Sequence, residues 1–262
     1  MNKILFLPKL LLCSLRLTLL VVLMVLAVSI GSIVMLTGLG KQRFGFWLRN
    51  RFCKVAHIIL GIKLIRTGEL SQKPGTLYVG NHRSLLDPLI VYYFIKEGYA
   101  VSKAEVEHYP VIGYGAKMCG VIYVDRKDSQ SRNSAKNKIV EKLREKLSIV
   151  LFPEGTISVR KEILPFKKGS FEAAAELGSP VVPFAMEYMN PSSDFWFHEH
   201  LILQFFYTAS KWKTTVRVHF FDPIHNLPFE QLLQYSEQNI SQKLTEFQKF
   251  WNKEEQAVFN IV

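Results

Sequence analysis

Apolar positions run without a charge from Leu17 to Gly40, and beyond them short β-rich runs alternate with segments of helical spacing. A helix over residues 17–40 would rise about 36 Å at about 1.5 Å per residue, enough to cross a hydrocarbon core of about 30 Å. A re-entrant helical hairpin in one leaflet fits the same pattern, since Leu5 to Leu12 is also apolar and Gly31, Gly38 and Gly40 permit a bend. A cleaved signal peptide fits less well, because the apolar run continues past the small residues between Ala27 and Ser32.

After this leader, residues 76–79, 100–102, 121–124, 149–152, 181–185 and 216–221 read as strands. Ser131 to Leu147 sets Ile139, Val140, Leu143 and Leu147 on one face of a basic helix, and Ser170 to Leu177 is a short helix closed by Gly178. Near the end, Ile240, Leu244, Phe247 and Trp251 fall at helical spacing and are expected to cap the core. The alternation predicts an α/β fold, a mixed sheet flanked by helices, with an N-terminal apolar helix or helical hairpin as membrane anchor. The expected division is an anchor over residues 1–54 and one folded domain over residues 55–262.

The formal charge of +11 and 13% aromatic content suit an anionic partner. With an apolar leader present and no nucleic-acid-binding motif, that partner is an anionic membrane surface and not nucleic acid. Basic residues flank the leader at Lys3, Lys9 and Arg16 and more densely at Lys41, Arg43, Arg49, Arg51 and Lys54, which puts the domain on the cytoplasmic face of the membrane. The three cysteines, Cys13, Cys53 and Cys119, form no C-x-x-C pair, so neither a disulfide framework nor a zinc knuckle is indicated.

Four short motifs carry the candidate chemistry. Asn81-His82-Arg83-Ser84-Leu85-Leu86-Asp87-Pro88 follows a predicted strand and precedes an apolar helical run from Leu89 to Ile95. With Ser84 as N-cap, Asp87 falls at N3 and Pro88 at N4. Residues five apart on a continuous helix point about 140° away from one another, so His82 and Asp87 can meet only if the chain enters the helix after His82. Seven histidines make one such spacing easy to obtain by chance, and the other motifs must support it. Gly120 to Arg126 brings a guanidinium to a strand end, where its fork matches phosphate, and Lys103 follows a neighbouring strand beside Glu105. In Phe152-Pro153-Glu154-Gly155-Thr156 the glycine permits a ligand to approach the backbone, and Glu154 is expected to position an acceptor. Val181-Val182-Pro183 reads as a buried strand interrupted at a sheet edge and as a wall for an acyl chain.

Taken in order, these motifs resemble the four sequence blocks of the glycerolipid acyltransferase family, specifically the 1-acyl-glycerol-3-phosphate acyltransferases. The likeness runs from about Gly68, through Lys103, Pro110, Gly113 and the Pro165 to Gly169 stretch, to about Pro223. The resemblance implies His82 and Asp87 as a catalytic dyad and Arg126, Glu154 and Gly155 as acceptor-phosphate positions, to which Lys103 and Thr156 are added as substrate-binding residues. It also implies a membrane lipid acceptor and an acyl-CoA or acyl-carrier-protein thioester as co-substrate, with no cofactor and no metal. The family usually has a basic residue after its glutamate-glycine-threonine block; Ile157 stands here instead, leaving Arg160, Lys167 or Lys168 to replace that contact. Lyso-ornithine lipid and other lysolipids are alternative acceptors.

Two other classes fit parts of the chain. His198-Glu199-His200, with His219 and His225 downstream, has ligand types suited to zinc and a metal-dependent hydrolase. A non-enzymatic lipid-binding protein would leave the motif residues with structural roles only.

Overall fold

The computed structural model describes residues 3–38, 41–109, 111–197, 200–253 and 255–256. Among them, seven strands form one sheet in the order β1 (Ile62–Thr67), β7 (Thr214–Phe220), β6 (Val181–Tyr188), β2 (Leu77–Gly80), β5 (Ile149–Leu151), β3 (Tyr99–Lys103), β4 (Val121–Val124). Neighbours are parallel except β6 and β7, so the sheet is mixed, as expected. Between and around the strands lie α3 (Asp87–Phe94), α4 (Ile112–Met118), α5 (Ser129–Arg144), α6 (Gly169–Leu177), α7 (Pro191–Asp194), α8 (Leu201–Ala209) and α9 (Phe229–Gln248).

Two apolar cores lie on the two faces of the sheet. One joins Ile90 and Val91 of α3 to Val182, Phe184 and Tyr188 of β6; the other joins Ile139 and Leu143 of α5, Phe171 of α6 and Ile240, Leu244 and Phe247 of α9. Alternate residues of β6 serve opposite cores, so every position on that strand is buried. The strand is therefore interior to the sheet, which corrects the edge placement read from Pro183. Proline is tolerated there because the antiparallel pairing with β7 begins one residue later; the Pro183 carbonyl still accepts from Phe221 N at 3.0 Å. Val181 and Val182 are buried one in each core, and packing alone accounts for both.

The leader forms α1 (Lys3–Leu36), and a second helix, α2 (Lys41–Leu60), packs against it. Residues 7–36 are long and apolar enough to cross a membrane, and little of their surface is buried in the protein. Gly31 makes no bend: α1 passes straight through it, and a Cβ there would lie 1.9 Å from Cε of Met118, so the glycine serves close approach to α4. Gly40 lies outside the described residues. Helix α2 runs through position 54, with Cys53, Ala56 and Leu60 buried against the domain.

Beneath the sheet's C-terminal edge, Arg83 is fully buried. Its guanidinium donates to the carbonyls of Ser158 at 3.3 Å, Lys161 at 2.8 Å, Glu162 at 3.3 Å and Arg160, and lies 3.5 Å from Glu187 Oε2. One cation thereby ties residues 158–162 to β6. Burial raises the Glu187 carboxyl to about 7 from an ordinary 4.5, with Arg83 opposing the shift. The folded state thus holds this proton more tightly than the unfolded chain, and the associated stability, complete below about pH 4.5, is lost as pH rises through about 7. Thermal melting should accordingly be lower at pH 8 than at pH 5, and Glu187→Gln should narrow that difference; an undiminished difference in the variant would contradict the assignment.

Candidate active site

In a parallel sheet the loops after the strands' C-terminal ends gather along one edge. Here β2, β5, β3 and β4 are adjacent, and their ends deliver His82, the 152–156 turn, Lys103 and Arg126 respectively. Motifs far apart in the chain therefore meet because their strands are neighbours.

After β2 the chain does not enter the helix at once. Residues 81–84 are irregular, a turn follows with Asp87 N donating to Ser84 O at 3.1 Å, and α3 begins at Asp87. Leu86 is the N-cap and Pro88 stands in the first turn, so Ser84 is not the cap expected from the sequence. The carboxylate is turned back on the preceding loop. Its Oδ2 accepts from Arg83 N at 2.6 Å and Ser84 N at 2.8 Å and lies 2.8 Å from His82 Nδ1; its Oδ1 accepts from Tyr188 Oη at 2.6 Å. Asp87 is fully buried, whereas the His82 side chain is 14% exposed.

A carboxylate can only accept, so His82 Nδ1 carries the proton and Nε2 of the neutral ring is left with a lone pair. Ring orientation is fixed a second time by Phe152, whose ring stacks on the imidazole at 4.2 Å between centroids and 12° between planes. A third restraint acts on the backbone: His82 N donates to Glu154 Oε1 at 2.7 Å, while Leu164 N donates to Oε2 at 2.9 Å. Both carboxylate oxygens of Glu154 are engaged in buried contacts and the side chain does not line the cleft. Glu154 thus clamps the histidine loop to the 152–164 segment. Burial raises its carboxyl above the ordinary value, against the two backbone N–H bonds.

His82 faces a cleft of about 1170 Å³. Its lining mixes apolar side chains, among them Met24 and Val28 of α1, Phe52 of α2 and Ile112 and Met118 of α4, with the charged Arg49, Glu105, Arg132, Lys136 and Lys167, and Lys103 and Arg126 mark a cationic end. Gly155 and Thr156 line the cationic end, and Gly155 makes its turn at φ +77°, a conformation that favours glycine. Partial burial pulls the Arg126 guanidinium below its ordinary value, with Glu105 working against that shift. Of the three cations considered as replacements at Ile157, Lys167 lines the cleft; Lys168 pairs with Glu172 at 3.1 Å, and Arg160 offers its carbonyl to Arg83. The lining suits a ligand that carries both an apolar chain and an anion, with His82 on the same cleft.

Tyr188, Arg83 and Phe152 were not singled out by sequence reasoning. The available signal was Glu187-Tyr188, a polar pair closing an apolar strand. His198 and Glu199 lie outside the described residues; His219 Nδ1 is 2.9 Å from Thr67 Oγ1, and among the described residues no three metal-ligating side chains gather.

The acyltransferase family model matches residues 62–187. The chain is 31% identical over 147 residues to the 1-acyl-sn-glycerol-3-phosphate acyltransferase of Borreliella burgdorferi, covering 55% of this chain and 59% of that protein. It is 32% identical over 157 residues to the protein of the same name from Saccharomyces cerevisiae, covering 57% and 52%. It is also 30% identical over 145 residues to the lyso-ornithine lipid O-acyltransferase of Rhizobium meliloti, covering 55% and 49%. The chain spans about half the length of these curated relatives. The crystal structure of the 1-acyl-sn-glycerophosphate acyltransferase of Thermotoga maritima shares the fold, with a TM-score of 0.64 and 21% identity over 92% of this chain and all of that one.

The hydrogen-bond pattern around Asp87 fixes a tautomer that nitrogen NMR can read. At a pH where the ring is neutral, His82 should carry its proton on Nδ1 in the unaltered chain and in Tyr188→Phe, and should shift toward the Nε2–H form in Asp87→Ala. An Nε2–H ring in the unaltered chain would contradict the geometry.

Proposed function

We propose that this chain, which carries an acyltransferase-family domain over residues 62–187, transfers a fatty acyl group from a coenzyme A or acyl-carrier-protein thioester to the free hydroxyl of 1-acyl-glycerol-3-phosphate, giving phosphatidic acid. The observation that carries this reading is the His82–Asp87 pair at 2.8 Å, with His82 on a cleft lined by both apolar side chains and cations. In the reaction, Nε2 of His82 takes the acceptor's hydroxyl proton as the oxygen attacks the thioester carbonyl. The carbon–sulfur bond then breaks, and the imidazolium returns its proton to the departing thiolate. Asp87 holds the ring and stabilises its cationic form. Arg126 and Lys103 hold the phosphate at the cationic end, and an acyl chain lies among α1, α2 and α4. Helix α1 keeps the domain at the membrane, on the cytoplasmic face that its denser basic flank favours.

The names of the Borreliella and yeast relatives support the phosphate-bearing acceptor, as does the number of cations lining the cleft. Lyso-ornithine lipid is the alternative, favoured by Ile157 in place of a basic residue and by the name of the Rhizobium relative.

Purified protein in vesicles, offered each thioester type against lysophosphatidate and lyso-ornithine lipid, should acylate lysophosphatidate; preference for the ornithine lipid would transfer the assignment. General-base catalysis contributes about 10²- to 10⁴-fold, so folded His82→Ala should lose activity on that scale. Arg126→Ala should raise KM for the acceptor about tenfold or more with that for the donor little changed, in keeping with loss of a charge-assisted contact. An equal rise for both substrates would contradict the phosphate contact.

A further inference from the structure

Helix α8 is built unlike the other surface helices of the domain. Its nine residues, Leu201–Ala209, carry no charge. The inner face is buried, with Gln204 Nε2 donating to Phe195 O at 3.1 Å and Thr208 and Ala209 packed inside. On the outer face Ile202 is 84% exposed, Leu203 42% and Tyr207 41%, and Trp212, just past the helix, is 80% exposed. Helix α5 has the opposite character, since its exposed positions include Arg132, Lys138 and Glu141.

The helix also lies against the leader. Arg16, otherwise a costly residue in an apolar helix, donates to the carbonyls of Ala209 at 3.0 Å, Trp212 at 3.1 Å and Lys211, at the C-terminal end of α8 where the helix dipole is negative. One turn earlier Cys13 Sγ meets Phe205 O at 4.0 Å. Around these contacts α1 exposes Leu7, Leu11, Leu15 and Leu19, so the outer faces of the two helices make one apolar surface. The exposed Lys213 stands beside Trp212, a pairing of basic and aromatic residues that suits a membrane–water boundary, while Lys211 turns inward to Asp194.

We propose that α8 is a second membrane-inserted element, entering lipid beside α1 as one unit fastened by Arg16. The occupant of this face is a bilayer, because the surface continues that of α1, the helix long and apolar enough to span one. This inference rests on the reading of α1 as membrane-bound, and its test separates the two.

A nitroxide is attached to Ile202→Cys in the full chain, bound to vesicles of phosphatidylcholine and phosphatidylglycerol, with Ile33→Cys and Glu141→Cys labelled in parallel. Ile33 marks the outer face of α1 and Glu141 the charged face of α5; the unaltered chain, carried through labelling, supplies the background of its native thiols. The label at 202 should match that at 33, accessible to oxygen and protected from a water-soluble relaxation agent, while the label at 141 shows the reverse. A label at 202 that behaves as at 141, with 33 in lipid, overturns the proposal and leaves the membrane reading of α1 intact. Protection of 202 from both reagents means a protein partner covers α8 and also overturns it. Water accessibility at all three positions overturns both readings.

Discussion

A carboxylate removed from water must recover its hydration from fixed donors, and Asp87 does so with two backbone N–H groups, a tyrosine hydroxyl and the imidazole of His82. The hydrogen bond that sets the histidine's tautomer follows from this requirement, while Phe152 and Glu154 restrain the ring and its backbone independently. The backbone donors exist only because residues 81–84 stay out of the helix, and α3 can begin at Asp87 only once its carboxylate has folded back on that loop. Tyr188 reaches Oδ1 because β6 is neighbour to β2. The same tyrosine is fully buried, and burial together with the adjacent carboxylate pushes its hydroxyl well above the ordinary value, so it stays protonated and available as a donor.

Around this centre the other charged groups of the motifs divide between those turned inward and those that face the cleft. Arg83 and Glu154 are turned inward and fasten the loops after β2 and β5, whereas Lys103 and Arg126 face the cleft. Charge type alone does not separate these tasks; solvent access does. Arg83 and Arg126 are both strand-end arginines, yet one is spent on four backbone carbonyls and the other borders open space.

Much of this was legible in the sequence, for identifiable reasons. The apolar runs at 121–124 and 149–152 are short and bounded by turn residues, so the strands and the motifs at their ends could be placed to within a residue or two. The pairing of His82 with Asp87 came from the family resemblance, and helical geometry added the condition that the helix must start late, as α3 does at Asp87. Other features left no such trace. Strand β1, with lysine and arginine among its apolar positions, has no clean alternation, and α8 is short and uncharged, with its polar Gln204 and Thr208 on the inner face, so no charged face marks it as a surface helix. The backbone partners of Glu154 left no trace either, because a carboxylate beside a glycine turn looks the same in sequence whether its oxygens meet a ligand or backbone N–H groups. The edge placement of β6 failed because Pro183 forfeits only one bond, at the point where β7 leaves it.

The central claim is spatial: an acceptor held by its anion at the cationic end should present its hydroxyl to His82. A structure of the chain with a bound lysophosphatidate and no acyl donor tests this most directly. The account requires the free hydroxyl within about 3 Å of Nε2 while the phosphate lies between Lys103 and Arg126. A phosphate seated elsewhere, with the hydroxyl beyond reach of the imidazole, would contradict it.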